Sequence, residues 1–280
     1  MALKLMYITN RPEIARIIEA AGVDRIFVDM EYIGKSIRQG GMDTVQSHHT
    51  IEDIKRIKAS VTKAQVMVRV NPIHEASESY PSSKEEIDAA IAAGADILML
   101  PYFKTATEVQ KFVDYVGGRV KTLPLVETPE AAERIDEIIA VDGIDEIYVG
   151  LNDLSLGYGK KFMFELLADG TVDALADKFK QKGLPFGFGG IAAVGQGMLP
   201  GERVIAEHYR LGSTCAILSR SFCNTDKVTD LEEVRQIFET GLADIRAFEG
   251  KCAAGKIDYA QNCAEVRKIV PQISERIKNR

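Results

Sequence analysis

The chain has 280 residues, a formal net charge of −6, and 46% hydrophobic against 27% charged residues. That balance belongs to a globular chain long enough to bury its own core without disulfide or metal staples. An acidic total with no basic cluster argues against nucleic acid as a partner, but leaves a small anionic substrate open, because local charge can oppose the global sign. Cys215, Cys223, Cys252 and Cys263 form no C-x-x-C pair and cluster with no histidine, so the expectation is reduced thiols in a cytoplasmic protein. The start, MALKLMYITN, lacks a basic segment ahead of a long apolar run, and no stretch approaches about 20 apolar residues. Neither a signal peptide nor a membrane span is expected.

Eight short apolar runs punctuate the chain: 3–8, 25–30, 65–70, 96–100, 122–126, 146–150, 184–189 and 213–218. Their nearly continuous apolar character predicts strands buried on both faces, as in a parallel sheet. Amphipathic segments separate them. Asn10 precedes Pro12 and a helix pattern that ends on Gly22. Ser83 and Glu86 read as a capping box ahead of a helix ending on Gly94. Thr128 reads as the cap of a helix with Pro129 at its first position. Residues 229–250 read as the last barrel helix, and 256–279 as an extra helix interrupted at Pro271. Eight strands each followed by a helix is the count of a (β/α)8 barrel. The expectation is one such domain over 1–280, with 251–280 as a C-terminal helical extension. A doubly wound sheet is the alternative, but no G-x-G-x-x-G follows the first strand. A surplus C-terminal helix on a closed barrel suggests a homo-oligomer.

Barrels carry their chemistry at the C-terminal ends of strands. That filter leaves Asp29, Glu31, Arg69, Asn71, Glu127, Asn152, Asp153 and Arg220. Glu127 directly follows one run and Asp153 follows the next by a short turn, so the two carboxylates can meet across neighbouring strands. Like charges held together call for a cation or a shared proton, and hard oxygen ligands suit Mg²⁺ or Mn²⁺. The other reading is two helix-start acids favoured by the helix dipole. Arg69 has two readings as well: an anion site at the mouth, or an ion-pair partner for Asp29 or Glu31. The Gly-led turn at Leu151 to Asp153 is a candidate anion nest.

The strings VMVRVNP, AAGADILMLPYFKTATEVQKFV, LPLVETPEAAERIDEII and EIYVGLNDLSLGYG, in this order, resemble the HpcH/HpaI aldolase and citrate lyase family of metal-dependent, pyruvate-forming barrels. The resemblance covers most of residues 12–160 and thins beyond. It implies Glu127 and Asp153 as metal ligands, with the amides of Gly150, Leu151, Asn152 and Asp153 receiving a pyruvate carboxylate. It implies Arg69 at the keto oxygen and Glu31 steadying a water on the metal. The implied activity is a Mg²⁺- or Mn²⁺-dependent carbon–carbon lyase acting on a 4-hydroxy-2-keto acid. An acyl-CoA lyase of the citrate-lyase branch and a catalytically silent barrel that binds a metal–keto acid complex are the alternatives.

Three positions depart from the family pattern. Tyr32 stands where a histidine is usual, Leu125 where a glutamine is, and Ala92 where an aspartate is. A tyrosine, with an ordinary pKa of about 10, is a poor base near neutrality. His48 and His49, at the end of a long Gly-rich loop, are the candidates for a relocated proton-transfer group, and His74 is a further one. His208 falls within a helix pattern and reads as structural. The stretch 189–201 reads as a lid or phosphate-contacting loop, and Arg220 as a contact for a distal anion or a helix-turn ion pair.

Overall fold

Eight parallel strands close on themselves in sequence order: β1 (Lys4–Ile8), β2 (Arg25–Asp29), β3 (Gln65–Arg69), β4 (Ile97–Leu100), β5 (Lys121–Val126), β6 (Ile147–Val149), β7 (Phe186–Ile191) and β8 (Cys215–Leu218). The computed structural model describes residues 2–34 and 49–278; His48 and most of the loop after β2 lie outside them. The (β/α)8 expectation holds, and the doubly wound alternative is excluded by the pairing of β8 with β1.

Alternate strand residues divide between two apolar compartments, as the period of two requires. Met6, Phe27, Met67, Met99, Leu123, Leu125, Tyr148 and Cys215 fill the barrel interior. Residues such as Ile26, Val28, Val66, Val68 and Leu98 face the helices. Near the bottom of the barrel, Arg25 is fully buried and forks onto Glu146 with bonds of 2.8 and 2.6 Å. Burial would raise the Glu146 carboxyl, but the Arg25 guanidinium overrides it and holds it below its ordinary value.

The helices over the described residues are α1 (Pro12–Ala21), α2 (Ile51–Ser60), α3 (Ser83–Ala92), α4 (Ala106–Val116), α5 (Pro129–Glu133), α6 (Ile135–Ile139), α7 (Leu151–Gly157), α8 (Glu165–Ala168), α9 (Thr171–Lys182), α10 (Gly201–Leu211), α11 (Leu231–Ala253) and α12 (Tyr259–Lys278). Four details differ from the sequence reading. The cap of α1 is Arg11 rather than Asn10, with no side-chain bond, because Pro12 already sets the first helical φ. The capping box of α3 is Ser82 with Glu85, one residue earlier than the Ser83–Glu86 pair. That shift turns Glu86 inward. The helix from Pro129 breaks at Arg134 into α5 and α6. Finally, α12 runs unbroken through Pro271, with Val266, Val270 and Ile273 buried. Tertiary packing of that face outweighs the proline penalty.

α11 packs against α1, and the C-terminal helix α12 packs against α8 and α10 of the same chain. Asn262 Nδ2 donates to Glu207 Oε1 at 2.8 Å, and Ser274 donates to Glu165 at 2.9 Å. Among the described residues, no helix is long and apolar enough to cross a membrane.

Candidate active site at the barrel mouth

A cavity of about 520 Å³ opens at the C-terminal ends of the strands. Its wall includes Asp29, His49, Arg69, Leu125, Glu127, Gly150, Leu151, Asn152, Asp153 and Arg220. Arg69, His49, Glu127, Gly150, Leu151, Asn152 and Asp153 all line this one cavity, whereas Glu31 and the further histidine candidate His74 do not.

Strand register explains the first half of the site. Asp29 and Arg69 are direct cross-strand partners at the ends of β2 and β3. Arg69 Nε and Nη2 donate to Asp29 Oδ1 and Oδ2 at 2.8 and 2.7 Å, the two-point geometry that guanidinium and carboxylate share. Arg69 Nη1 lies 3.3 Å from Glu31 Oε2. Burial alone would lower the Arg69 pKa, but the charges of Asp29, Glu31 and Glu127 outweigh it and hold the guanidinium above its ordinary value. One guanidinium therefore faces three buried carboxylates. Arg69 thus takes the ion-pair position without leaving the cavity wall.

The second half is built by β5 and β6. Val126 pairs with Val149, so Glu127 and Gly150 emerge side by side, one residue beyond the register. Gly150 caps α7 without a side-chain bond, and Asp153 sits in the first turn. The amides heading a helix have no intrahelical acceptor, so this turn presents donors beside two carboxylates. A Cβ added at Gly150 would lie 2.8 Å from Glu127 Cβ and 2.9 Å from Glu127 Oε2, so glycine is what lets the turn approach the carboxylate. Tyr102 N–H donates to Glu127 Oε1 at 2.9 Å. Among the described residues, Tyr102 is the one non-glycine with positive φ (49°), and that backbone turns its amide onto Glu127. Nothing in the sequence pattern marked Tyr102.

The structure separates the histidine candidates. His49 lines the cavity, and its Nδ1 accepts the Asp29 N–H at 2.9 Å. His48 lies outside the described residues. His74 is held in its own loop, its Nδ1 and Nε2 at 2.7 and 2.9 Å from the carbonyls of Pro72 and Pro81. His208 is buried, stacked on Phe188 at 3.8 Å, and burial depresses its pKa from 6.5 to about 3. It is structural, as its helical context suggested.

Tyr32 does not line the cavity; its ring meets Tyr80 edge-on at 6.3 Å, and burial raises its pKa further. Leu125 does line the wall, while Ala92 is exposed at the end of α3. The sequence reading also missed a scaffold behind the β2 exit. Asn71 Oδ1 accepts the Tyr32 and Ile33 amides at 3.0 and 2.9 Å, and Asn71 Nδ2 donates to the buried Glu86 at 2.8 Å. Burial raises the Glu86 pKa against the pull of those Asn71 bonds. The segment 189–201 supplies Gly189, Gly190, Ala192, Gly197, Met198 and Leu199 to the opposite wall.

The surplus of carboxylate over guanidinium fits a hard cation. Among the described residues no group of three or more acidic, histidine or cysteine side chains is gathered tightly enough to form a complete metal cage. Mg²⁺ and Mn²⁺ do not need one, since one or two carboxylates suffice when water and substrate oxygens complete the shell. The carboxylates on the cavity wall are Asp29, Glu127, Asp153 and Asp226; Asp29 is taken up by its fork with Arg69, and Glu127 and Asp153 lie on neighbouring strand exits.

A closed (β/α)8 barrel with acidic groups and arginines at its mouth is a barrel with its site where this architecture carries chemistry. The chain belongs to the HpcH/HpaI aldolase/citrate lyase family, whose sequence profile matches residues 4–165. It is similar to the hydroxypyruvate/pyruvate aldolase of Rhizorhabdus wittichii, with 37% identity over 26% of this chain and 32% of that one. It is also similar to the hydroxypyruvate/pyruvate aldolase of Roseovarius nubinhibens, with 21% identity over 53% of this chain and 61% of the other. The match thus spans about a third and about three fifths of these curated relatives. A solved HpcH/HpaI aldolase/citrate lyase family protein from Burkholderia cenocepacia superposes with a TM-score of 0.60, covering 83% of this chain and 94% of that one at 18% identity, a likeness of fold.

Proposed function

We propose that the protein is a divalent-cation-dependent carbon–carbon lyase that cleaves or forms a 4-hydroxy-2-keto acid through a pyruvate enolate. The observation that carries this reading is the local charge around Arg69, where one guanidinium faces Asp29, Glu31 and Glu127, with Asp153 on the same cavity wall. Family membership and the aldolase names of the curated relatives support it. Glu127 and Asp153 would hold Mg²⁺ or Mn²⁺, which supplies the Lewis acidity that makes a 2-keto acid easier to deprotonate.

The chain's own groups do the rest. Arg69, fixed by its fork onto Asp29, places a positive charge where the keto oxygen gains negative charge. The amides of Leu151, Asn152 and Asp153, led by Gly150, receive the substrate carboxylate. Leu125 and Leu151 shield the site from water on the β5–β6 side. Among the described residues no lysine lines this cavity. The proposed substrate is a small 2-keto acid, and the proposed setting is a cytoplasmic homo-oligomer; all four cysteines are free thiols, which suits a reducing compartment.

The test is exchange of pyruvate methyl protons in D₂O, followed by NMR with and without Mg²⁺ or Mn²⁺. The expected result is metal-dependent exchange that Glu127→Ala abolishes. No exchange under either condition refutes the enolate mechanism. Tight oxalate binding in that case would identify the silent keto-acid-binding barrel instead.

A further inference from the structure

The cavity is larger than its proposed keto-acid end requires. At about 520 Å³ it falls in the range that takes drug-sized ligands, about 300–1,000 Å³, whereas pyruvate is a three-carbon acid. With the carboxylate on the α7 turn and the keto oxygen toward Arg69, the end of pyruvate left to react is its methyl carbon. Whatever is joined to that carbon has to occupy the rest of the wall. One arc of that wall is apolar, from Phe162 and Phe164 ahead of β7 and Met198 and Leu199 after it. Another is polar, from Ser219, Ser221, Asn224, Thr225 and Asp226 after β8 and Arg11 after β1.

The polar arc is held in place by the chain's own bonds. Tyr7 Oη, from β1, donates to the Cys223 carbonyl at 3.1 Å and lies 3.2 Å from Thr225 Oγ1. The Ser219 N–H donates to the Ile191 carbonyl at 2.9 Å, and Ser219 Oγ accepts the Ser221 N–H at 3.2 Å. Asn224 Oδ1 accepts the Asp226 N–H at 3.2 Å. That bond fixes which end of the Asn224 amide is which, so its Nδ2 donors are the end left over. They have no hydrogen-bond partner among the described residues. Asp226 adds a carboxylate to the same wall, a group that only accepts. Arg11 and Arg220 share the arc, and Glu13 takes the Nε–H of Arg11 at 2.8 Å. Two cations thus stand with two anions, Glu13 and Asp226, so the arc carries no net charge to draw an anionic tail.

We propose that this arc is the subsite for the aldehyde half of the substrate and that it selects a hydroxyaldehyde. Asn224 Nδ2 donates to the hydroxyl oxygen, and Asp226 accepts the hydroxyl O–H. This rests on the lyase reading above and names the substrate class of the same site. A hydroxyl group donates and accepts, so it satisfies an amide N–H and a carboxylate at once. An apolar tail would take both groups out of water and pair neither, which is unfavourable. A carboxylate tail would meet Asp226 as a like charge. The arc holds the tail and exchanges no proton with it.

The test is addition of pyruvate to matched aldehydes with Mg²⁺ or Mn²⁺ present. Glycolaldehyde and propanal differ by a hydroxyl in place of a methyl group. Their kcat/KM ratio in a variant, divided by the ratio in the wild type, cancels their intrinsic difference in reactivity. Loss of one hydrogen bond to an uncharged partner is worth about 2–12-fold. Asn224→Leu should lower the glycolaldehyde-to-propanal ratio by that factor, and Asp226→Leu by at least as much. Asp226→Asn, which keeps an acceptor without the charge, should hold most of the hydroxyl preference and accept succinic semialdehyde, an anionic aldehyde, better than the wild type does. Exchange of pyruvate methyl protons needs no aldehyde and should change far less in all three variants. An unchanged ratio in either leucine variant overturns the inference, and so does a wild type that favours propanal or succinic semialdehyde over glycolaldehyde. Persistent pyruvate exchange in those cases leaves the lyase reading standing. A wild-type protein that neither exchanges nor adds any of the three aldehydes defeats the lyase reading itself.

Discussion

Gly150→Ala perturbs the joint between the two halves of the proposed metal site. The backbone there (φ −80°, ψ 87°) does not require glycine, so the added methyl group is the whole perturbation. It would lie 2.8 Å from Glu127 Cβ and 3.1 Å from Leu125 Cδ1. Carbon atoms rest at about 3.5–4.0 Å, so the contact is short by at least about 0.7 Å. Glu127 continues β5 and has little room to retreat. Either the head of α7 shifts and carries Asp153 with it, or the Glu127 side chain rotates off the Tyr102 amide. Overpacking of this kind costs about 1–3 kcal/mol, a fall of several degrees in Tm for a chain of this size. Misplacing ligand support typically costs about 10–100-fold in metal affinity. Mn²⁺ titration followed by the EPR signal of free ion, with a thermal melt in parallel, measures both. Gly250→Ala, where an added Cβ meets nothing within 4 Å, is the control. Unaltered Mn²⁺ affinity in Gly150→Ala would refute the assignment of Glu127 and the α7 turn to one site.

Three further outcomes follow from the fold. Arg25→Met strands Glu146 in the barrel, a loss of about 3–5 kcal/mol when a buried partner is removed. Lys4 and Lys121, at 3.9 and 3.7 Å from Glu146, should keep it near the lower figure in urea unfolding, and adding Glu146→Leu should recover most of it. For His208 the folded pKa is about 3 against an ordinary 6.5. The unfolded chain therefore takes up a proton that the folded chain refuses, and stability falls by about 1.4 kcal/mol per pH unit below 6.5 until pH approaches 3. His208→Phe should flatten that slope in unfolding curves between pH 4 and 7; an unchanged slope counts against the assignment. At Tyr102, glycine adopts the positive φ without strain, whereas a β-branched side chain there costs about 1–2 kcal/mol more. Tyr102→Gly should keep Mn²⁺ affinity near wild type in the same titration, and Tyr102→Val should lose both stability and affinity.

Much of the fold was legible because barrel strands are buried on both faces, and runs such as QVMVRV carry that signal without help from neighbours. Strand-end position then placed Glu127, Arg69 and Asp153 on one rim. What the sequence leaves open is set by register and by single dihedral angles. Arg69 had two readings until the pairing of Asp29 with Arg69 put a carboxylate opposite it. The Ser83–Glu86 box was off by one because Ser82 and Glu85 offer the same spacing, and only the inward turn of Glu86 onto Asn71 decides between them. Tyr102 carries no turn-forming signature, since its positive φ is imposed by the β4 exit and stabilised by Glu127. Pro271 misled in the opposite direction, because burial of Val266, Val270 and Ile273 holds the helix across it.

A crystal structure of the protein with Mn²⁺ and oxalate tests the central assignment most directly. The account predicts the ion on the carboxylates of Glu127 and Asp153, with oxalate on the amides following Gly150 and Arg69 within hydrogen-bond reach of its remaining oxygens. An ion bound elsewhere, or oxalate that ignores both the Gly150 turn and Arg69, would contradict it.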